Sequence, residues 1–208
     1  MSTFTLAPAR PVLVDRLVSR RLLMDIVFIV SGALLTGLLA QVSIPTWPVP
    51  ITGQTLAVLL VGSALGAARG AISMVLYAVL GIVGLPVFSD WSHGIGVIGG
   101  FTGGYIVGFI ASAALIGWIA QREWDHRIWR ALISAVAGTL VTFAIGLVWL
   151  WATLGLAGYP NDLNSVLVGG LYPFIIGGIV KAVIAAIVIG GSWRIIERRD
   201  ARKAAGQL

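Results

Sequence analysis

The chain has 208 residues, 58% of them hydrophobic and only 11% charged, with 14 Lys plus Arg, 8 Asp plus Glu and a net charge of +6. Soluble domains carry about 25% charged residues, and a surface this poor in charge does not stay in water, so the composition excludes a soluble enzyme and points to an integral membrane protein. A pI near 10.5 would suggest nucleic acid only in a soluble chain; in a membrane chain it is expected from basic loops on the cytoplasmic side.

In chain order, the hydropathy pattern predicts six membrane helices, over 22–42, 54–68, 70–87, 97–121, 131–156 and 166–193. A span needs about 20 mostly apolar residues. The first stretch follows Arg10, Arg16, Arg20 and Arg21. A signal peptide also begins basic, but its apolar region is only about 7–15 residues, so a true first span is expected. The loop 43–53 carries no charge and holds Pro45, Pro48 and Pro50 around Trp47. The prolines stiffen it toward extended geometry and suit it to form a lid, after which Gln54 enters the next span as a buried amide. The second and third stretches are short and separated by Arg69, which predicts a tight helical hairpin with a cytoplasmic turn; a re-entrant pair is the alternative. The fourth opens on Gly99-Gly100-Phe101-Thr102-Gly103-Gly104-Tyr105, where the hydroxyls of Thr102 and Tyr105 at the outer mouth are suited to orient a polar ligand. Gly100, Gly104, Gly108 and Ser112 recur at four-residue spacing, as do Gly62, Gly66 and Gly70, and Ala182, Ala186 and Gly190. Such faces let membrane helices approach closely. In the sixth stretch, Pro173 and the pair Gly177-Gly178 permit a bend or a close approach of backbone to ligand.

The charges fix an orientation. Placing the six spans puts thirteen of the fourteen basic residues on the side of the two tails and none on the other side, so both termini are expected in the cytoplasm. Trp47, Trp91, Trp149 and Trp151 fall near the outer ends, and Trp118, Trp124, Trp129 and Trp193 near the inner ends, as an interfacial belt requires. Trp47 and Trp91 sit in the polar-poor outer loops and are also candidates for ligand contact. Residues 1–208 read as one membrane domain, with tails over 1–21 and 194–208.

The remaining basic residue, Lys181, lies inside the last span. A lysine at a helix centre costs about 2.5–3.5 kcal/mol on insertion scales, which points to a cation or donor facing a polar cavity. No cysteine is present, which excludes disulfides, thiolate metal sites and Cys nucleophiles. His93 and His126 lack metal-ligand spacing, so neither a metal nor a cofactor is expected. There is no G-x-x-x-x-G-K-[ST], no acidic relay inside the spans and no Ser/His/Asp set. These absences argue against ATP binding, proton pumping and enzymatic catalysis by this chain. What remains is a membrane binding unit without its own energy source.

Four ordered motifs then carry a resemblance. Pro48-Val49-Pro50-Ile51-Thr52-Gly53-Gln54-Thr55, Gly84-Leu85-Pro86-Val87-Phe88, Thr102-Gly103-Gly104-Tyr105, and Pro173-Phe174 followed by Lys181-Ala182 resemble the BioY family, the biotin-binding S components of energy-coupling factor (ECF) transporters. The similarity runs over about 44–186. It implies an all-α S-component bundle of six transmembrane helices in the plasma membrane. It implies capture of biotin from outside, with transport energised by a transmembrane coupling (T) component and two ABC-type ATPases. Small residues such as Ala33 and Gly37 would suit the docking face for that partner. The candidate ligand-contacting set is Lys181, Tyr105, Gln54, Thr102, Gly103, Phe88, Trp47 and Trp91. Biotin combines an apolar body with a ureido group and a carboxylate, and an aromatic-lined pocket with a few polar groups is its natural complement. Lys181 is suited to either polar end. The chain departs from the family pattern twice. Many members have Pro-Gly-Asp-x-x-Lys where this chain has Ile176, Gly177, Gly178 and Lys181, and Phe101 replaces a proline. A different small vitamin, or a solitary carrier working without ATPases, is the alternative.

Overall fold

A computed structural model describes residues 12–17, 22–123 and 125–206. Arg10, Arg20, Arg21 and Trp124 lie outside the described residues. A short helix α1 (Leu13–Leu17) precedes α2 (Leu22–Ala40). A small hairpin, β1 (Ser43–Ile44) and β2 (Ile51–Thr52), leads into α3 (Gln54–Leu65) and α4 (Ala67–Ile82). A 3₁₀ turn at Ser89–Trp91 and the short α5 (Ile95–Gly99) precede α6 (Gly103–Ala120). The long α7 (Ile128–Leu156), the short α8 (Leu163–Gly170) and the long α9 (Phe174–Ala204) complete the described chain.

Four helices, α2, α6, α7 and α9, are long and apolar enough to cross a membrane. The other two expected spans correspond to α3 and α4, of 12 and 16 residues. At 1.5 Å per residue these reach about 18 and 24 Å, short of the ~30 Å hydrocarbon core. Three of the long helices, α2, α7 and α9, carry most of their large apolar residues outward, exposed in full or in part. On α2, Leu22, Leu23, Ile26, Val27, Val30, Leu34 and Leu38 are exposed, while Gly32, Ala33, Thr36, Gly37 and Ala40 are buried. Lipid is as apolar as leucine, so helix association rests on close backbone approach through small residues.

The central element is α6, which packs against α3, α4 and α7 and is the most buried of the long helices. Its small-residue face lies on α7: a Cβ at Gly108 would stand 2.9 Å from the Thr142 carbonyl oxygen, and one at Gly104 would overlap the Trp149 side chain. On α3, a Cβ at Gly62 would lie 2.9 Å from the Ala113 carbonyl oxygen of α6. On α9, Ala182 and Ala186 are buried, and Gly190 faces Ile128 at the start of α7. The expected packing role of all three small-residue series is therefore visible in the geometry, apart from Gly100, which lies outside α6.

Several boundaries differ from the sequence expectation. The chain reverses between α3 and α4 at Gly66, whose φ of +85° and ψ of 175° favour glycine, and not at Arg69. That residue lies inside α4, where its guanidinium donates to Asp15 at 2.9 Å, Asp25 at 2.8 Å and the Leu65 carbonyl at 2.8 Å. The fourth stretch breaks between α5 and α6, and the Trp149 indole fastens the break by donating to the Gly100 carbonyl at 3.0 Å. The sixth stretch divides into α8 and α9, with Pro173 at the N-cap of α9. There its missing N–H costs nothing. The three-proline loop does not run extended: Ser43 pairs with Thr52 and Ile44 with Ile51, so the chain folds back as a hairpin. The tails are partly helical, since α1 lies within 1–21 and α9 continues to Ala204. Trp193 is no interfacial anchor; it is buried and stacks on His126 with centroids 3.8 Å apart.

Candidate functional site

One cavity gathers most of the polar groups singled out above. It is lined from the hairpin loop by Val49, Pro50 and Thr52, from α3 by Gln54 and Thr55, and from the following loop by Phe88 and Ser89. Val97 of α5 and Thr102, just before α6, add to the wall, and α6 contributes Tyr105, Ile106 and Phe109. Thr139 and Phe143 come from α7, and Phe174, Gly178 and Lys181 from α9. Helical spacing explains the convergence. Tyr105 and Phe109, Thr139 and Phe143, and Phe174, Gly178 and Lys181 each share one helix face at i, i+4 or i+7.

The polar wall is a connected network. Lys181 Nζ donates to the Thr52 carbonyl at 2.5 Å. The Thr52 hydroxyl donates to Gln54 Oε1 at 2.6 Å. Gln54 Nε2 donates to the Tyr77 hydroxyl, which lies on α4 and is fully buried. A buried amide held at both ends keeps one orientation, with its remaining capacity available to the cavity. Another part of the wall is aromatic. Tyr105 stacks on Phe174 at 6.3 Å and meets Phe143 edge-on at 5.8 Å, and the Tyr105 hydroxyl donates to the Gly170 carbonyl at the end of α8 at 2.9 Å.

Of the eight residues in the candidate set, Lys181, Tyr105, Gln54, Thr102 and Phe88 line this cavity, and Gly103, Trp47 and Trp91 do not. Gly103 has a packing part: a Cβ there would run into the Ile98 carbonyl oxygen. Trp47 is edge-on to Tyr159 at 5.1 Å and Phe101 at 6.1 Å. These three rings join the hairpin, the α5–α6 break and the α7–α8 loop. Trp91 is exposed, and its backbone N–H donates to Gln41 Oε1 at 3.0 Å. Beneath the rings, Pro48 seats on α8 at Gly169, where a Cβ would come within 2.8 Å of the proline ring. Sequence reasoning missed Thr52 and Tyr77 as parts of the network and Phe109, Thr139 and Phe143 as wall. The signal for Phe109 was present, four residues from Tyr105 on one helix face. The contact of Tyr77 with Gln54 carried no local signal, because it depends on how α3 folds back on α4.

Comparison with known proteins gives the family. The family model for the BioY family matches residues 11–198. A biotin transporter BioY of Thermotoga maritima is 34% identical over 163 residues, covering 77% of this chain and 92% of that protein. A probable biotin transporter BioY of Pyrococcus horikoshii is 36% identical over 154 residues, covering 74% and 86%. The fold is similar to a crystal structure of the S-component for biotin from an ECF-type ABC transporter, with a TM-score of 0.70 and 23% identity over 84% of this chain and 92% of that one. With a family match over most of its length and relatives above 30% identity across nearly their whole length, the chain belongs to the BioY family.

Proposed function

We propose that this chain is the substrate-binding subunit of a vitamin uptake transporter, that its ligand is biotin, and that biotin occupies the cavity between Lys181 and the Tyr105–Phe143–Phe174 wall. The observation that carries the reading is this cavity: an aromatic, mostly apolar chamber with Gln54, Thr52 and Lys181 collected on one side. That division matches a ligand with an apolar body and a few polar groups. Relatives named biotin transporter BioY support the choice of ligand. The hairpin, with Trp47 at its tip, serves as the outer lid. Gln54, Thr102, Tyr105, Phe88 and Lys181 are the contacts proposed within the cavity, with no cofactor.

The chain works in the plasma membrane as one unit of six spans, α3 and α4 completing the four long ones, with both termini cytoplasmic. The sidedness of the basic residues supports this orientation. Transport is driven by a T component and two ABC-type ATPases in partner chains, and the chain itself is no enzyme. The test is uptake of labelled biotin by cells without their own biotin import. Cells expressing this chain with a T component and ATPases are expected to accumulate the label, and cells with a Walker-lysine variant of the ATPases are not. Absence of uptake in the complete system overturns the reading, and undiminished uptake with inactive ATPases overturns the energy source.

A further inference from the structure

The turn at 88–91 supplies two residues of the cavity wall, Phe88 and Ser89, from a strained stretch of backbone. Asp90 (φ 55°, ψ 38°) and Trp91 (φ 58°) are consecutive residues in the left-handed region, and neither is glycine. A Cβ is crowded there, above all that of a bulky aromatic residue. Such a conformation persists only where its surroundings over-determine it. Within the turn, the Phe88 N–H donates to the Ser92 carbonyl and the Ser92 N–H to the Ser89 carbonyl, both at 3.1 Å. From outside, two side chains hold it. Ser43 Oγ donates to the Asp90 carboxylate in an exposed bond. Gln41, half-buried just past the end of α2, makes the larger connection. Its Nε2 donates to the Phe88 carbonyl and to the Gly37 carbonyl of α2, both at 3.0 Å, and its Oε1 accepts from the Trp91 N–H at 3.0 Å. Both amide donors are therefore used, and all three partners are backbone groups. The helix meets the same segment at Gly37, where a Cβ would stand 3.2 Å from Val87 Cβ. The turn seats the Phe88 ring over Gly81, where a Cβ would overlap it, and edge-on to Tyr77 at 5.5 Å.

We infer that Gln41 is a positioning residue for the ligand cavity: it takes no place on the wall, and its amide locks the strained turn to the end of α2, so that Phe88 and Ser89 are set before the ligand arrives. The inference rests on the biotin reading and adds a residue that acts through others. The contact of Phe88 with Tyr77 carries the same constraint to Gln54, whose amide the Tyr77 hydroxyl holds.

The test is calorimetry with biotin on the full chain in nanodiscs, joined to hydrogen exchange of segment 88–92 with and without saturating biotin. Gln41→Met keeps the length of the side chain and removes all three bonds. It is expected to bind biotin about tenfold more weakly, because only a fraction of the unliganded chain keeps the turn formed. Segment 88–92 should exchange faster in the unliganded variant and regain its protection with biotin bound. Gln41→Glu, of nearly the same size, keeps the acceptor for Trp91 but points an oxygen at the Phe88 carbonyl. Its loss relative to the unaltered chain should be about tenfold near pH 8 and about threefold or less near pH 5, where a protonated carboxyl donates to that carbonyl again. The loss in Gln41→Met, which retains Asp90, should be the same at both. Binding within about threefold of the unaltered chain in both variants overturns the inference and leaves the biotin reading standing, as does a tenfold loss with exchange at 88–92 unchanged. If Gln41→Met does not elute as a monodisperse species, Gln41→Glu decides, and equal losses at the two pH values overturn the inference. If the unaltered chain binds no biotin, the biotin reading itself falls, and this inference with it.

Discussion

Lys181 was legible in the sequence because a charge in the middle of an apolar span is too costly to be idle. Its immediate partner was not, since the Thr52 carbonyl lies 129 residues away in the chain. Replacing Lys181 with Ala should weaken ligand binding about tenfold or more, which is about 1.4 kcal/mol. Unchanged affinity would remove it from the site. Tyr77 is the subtler case. It does not itself line the cavity, yet its hydroxyl accepts from Gln54, which does, and holds the amide in one orientation. Tyr77→Phe keeps the ring against Phe88, 5.5 Å away, and removes the acceptor. The loss of one net hydrogen bond, about 1 kcal/mol, should appear as roughly fivefold weaker binding with an unchanged ring packing. A positioning part for Tyr77 requires that binding fall more than thermal stability does; equal losses would make it merely structural.

The elements divide into those the sequence pattern could reach and those it could not. The repeated small residues on α6 and α9 read correctly as packing faces, because close helix approach needs them wherever it occurs. The break points were legible unevenly. The α3–α4 reversal was expected, but at Arg69 and not at Gly66, and Pro173 marked a bend where α9 begins; the α5–α6 break falls inside a stretch that stays apolar, so hydropathy passes over it. At the first of these, Gly117 of α6 packs on the turn so closely that a Cβ would stand 2.2 Å from the Gly66 carbonyl carbon. Backbone cannot yield as a flexible side chain does, so Gly117→Ala should push the α3–α4 turn off α6 and lower the melting temperature sharply in detergent. A fully stable alanine variant would contradict this packing. At the same end of the helices, Arg69 joins α4 to α1 and α2 through Asp15 and Asp25, with side-chain exposures of 13%, 4% and 36%. Arg69→Ala leaves the buried Asp15 without this partner. The expected loss is about 3 kcal/mol, the low end for breaking a buried pair because Asp25 is partly solvated. Chemical unfolding of the variant in micelles measures it.

For the whole molecule, composition was the most informative signal, since it gave the membrane environment and the expected sidedness of the loops together. It could not reveal the loop between α6 and α7, where an acidic residue is packed away. Asp125 is fully buried beside His126, and burial raises its carboxyl to about 6. His126 in turn pairs with Glu197 of α9 at 3.2 Å. A raised carboxyl binds its proton in the folded state where the unfolded chain has released it. Stability from this group is therefore greatest at acid pH and falls as pH rises from about 4 to about 6. Asp125→Asn should flatten that part of the profile in thermal unfolding followed against pH; a profile with the same slope would assign the change to other groups. The central claim, that the cavity between Lys181 and the aromatic wall is a biotin site, is tested most directly by titrating biotin into the purified chain in nanodiscs without any partner. Saturable binding of one equivalent, lost by about tenfold or more in Lys181→Ala, is the expected result. No saturable heat in the unaltered, folded chain would contradict it.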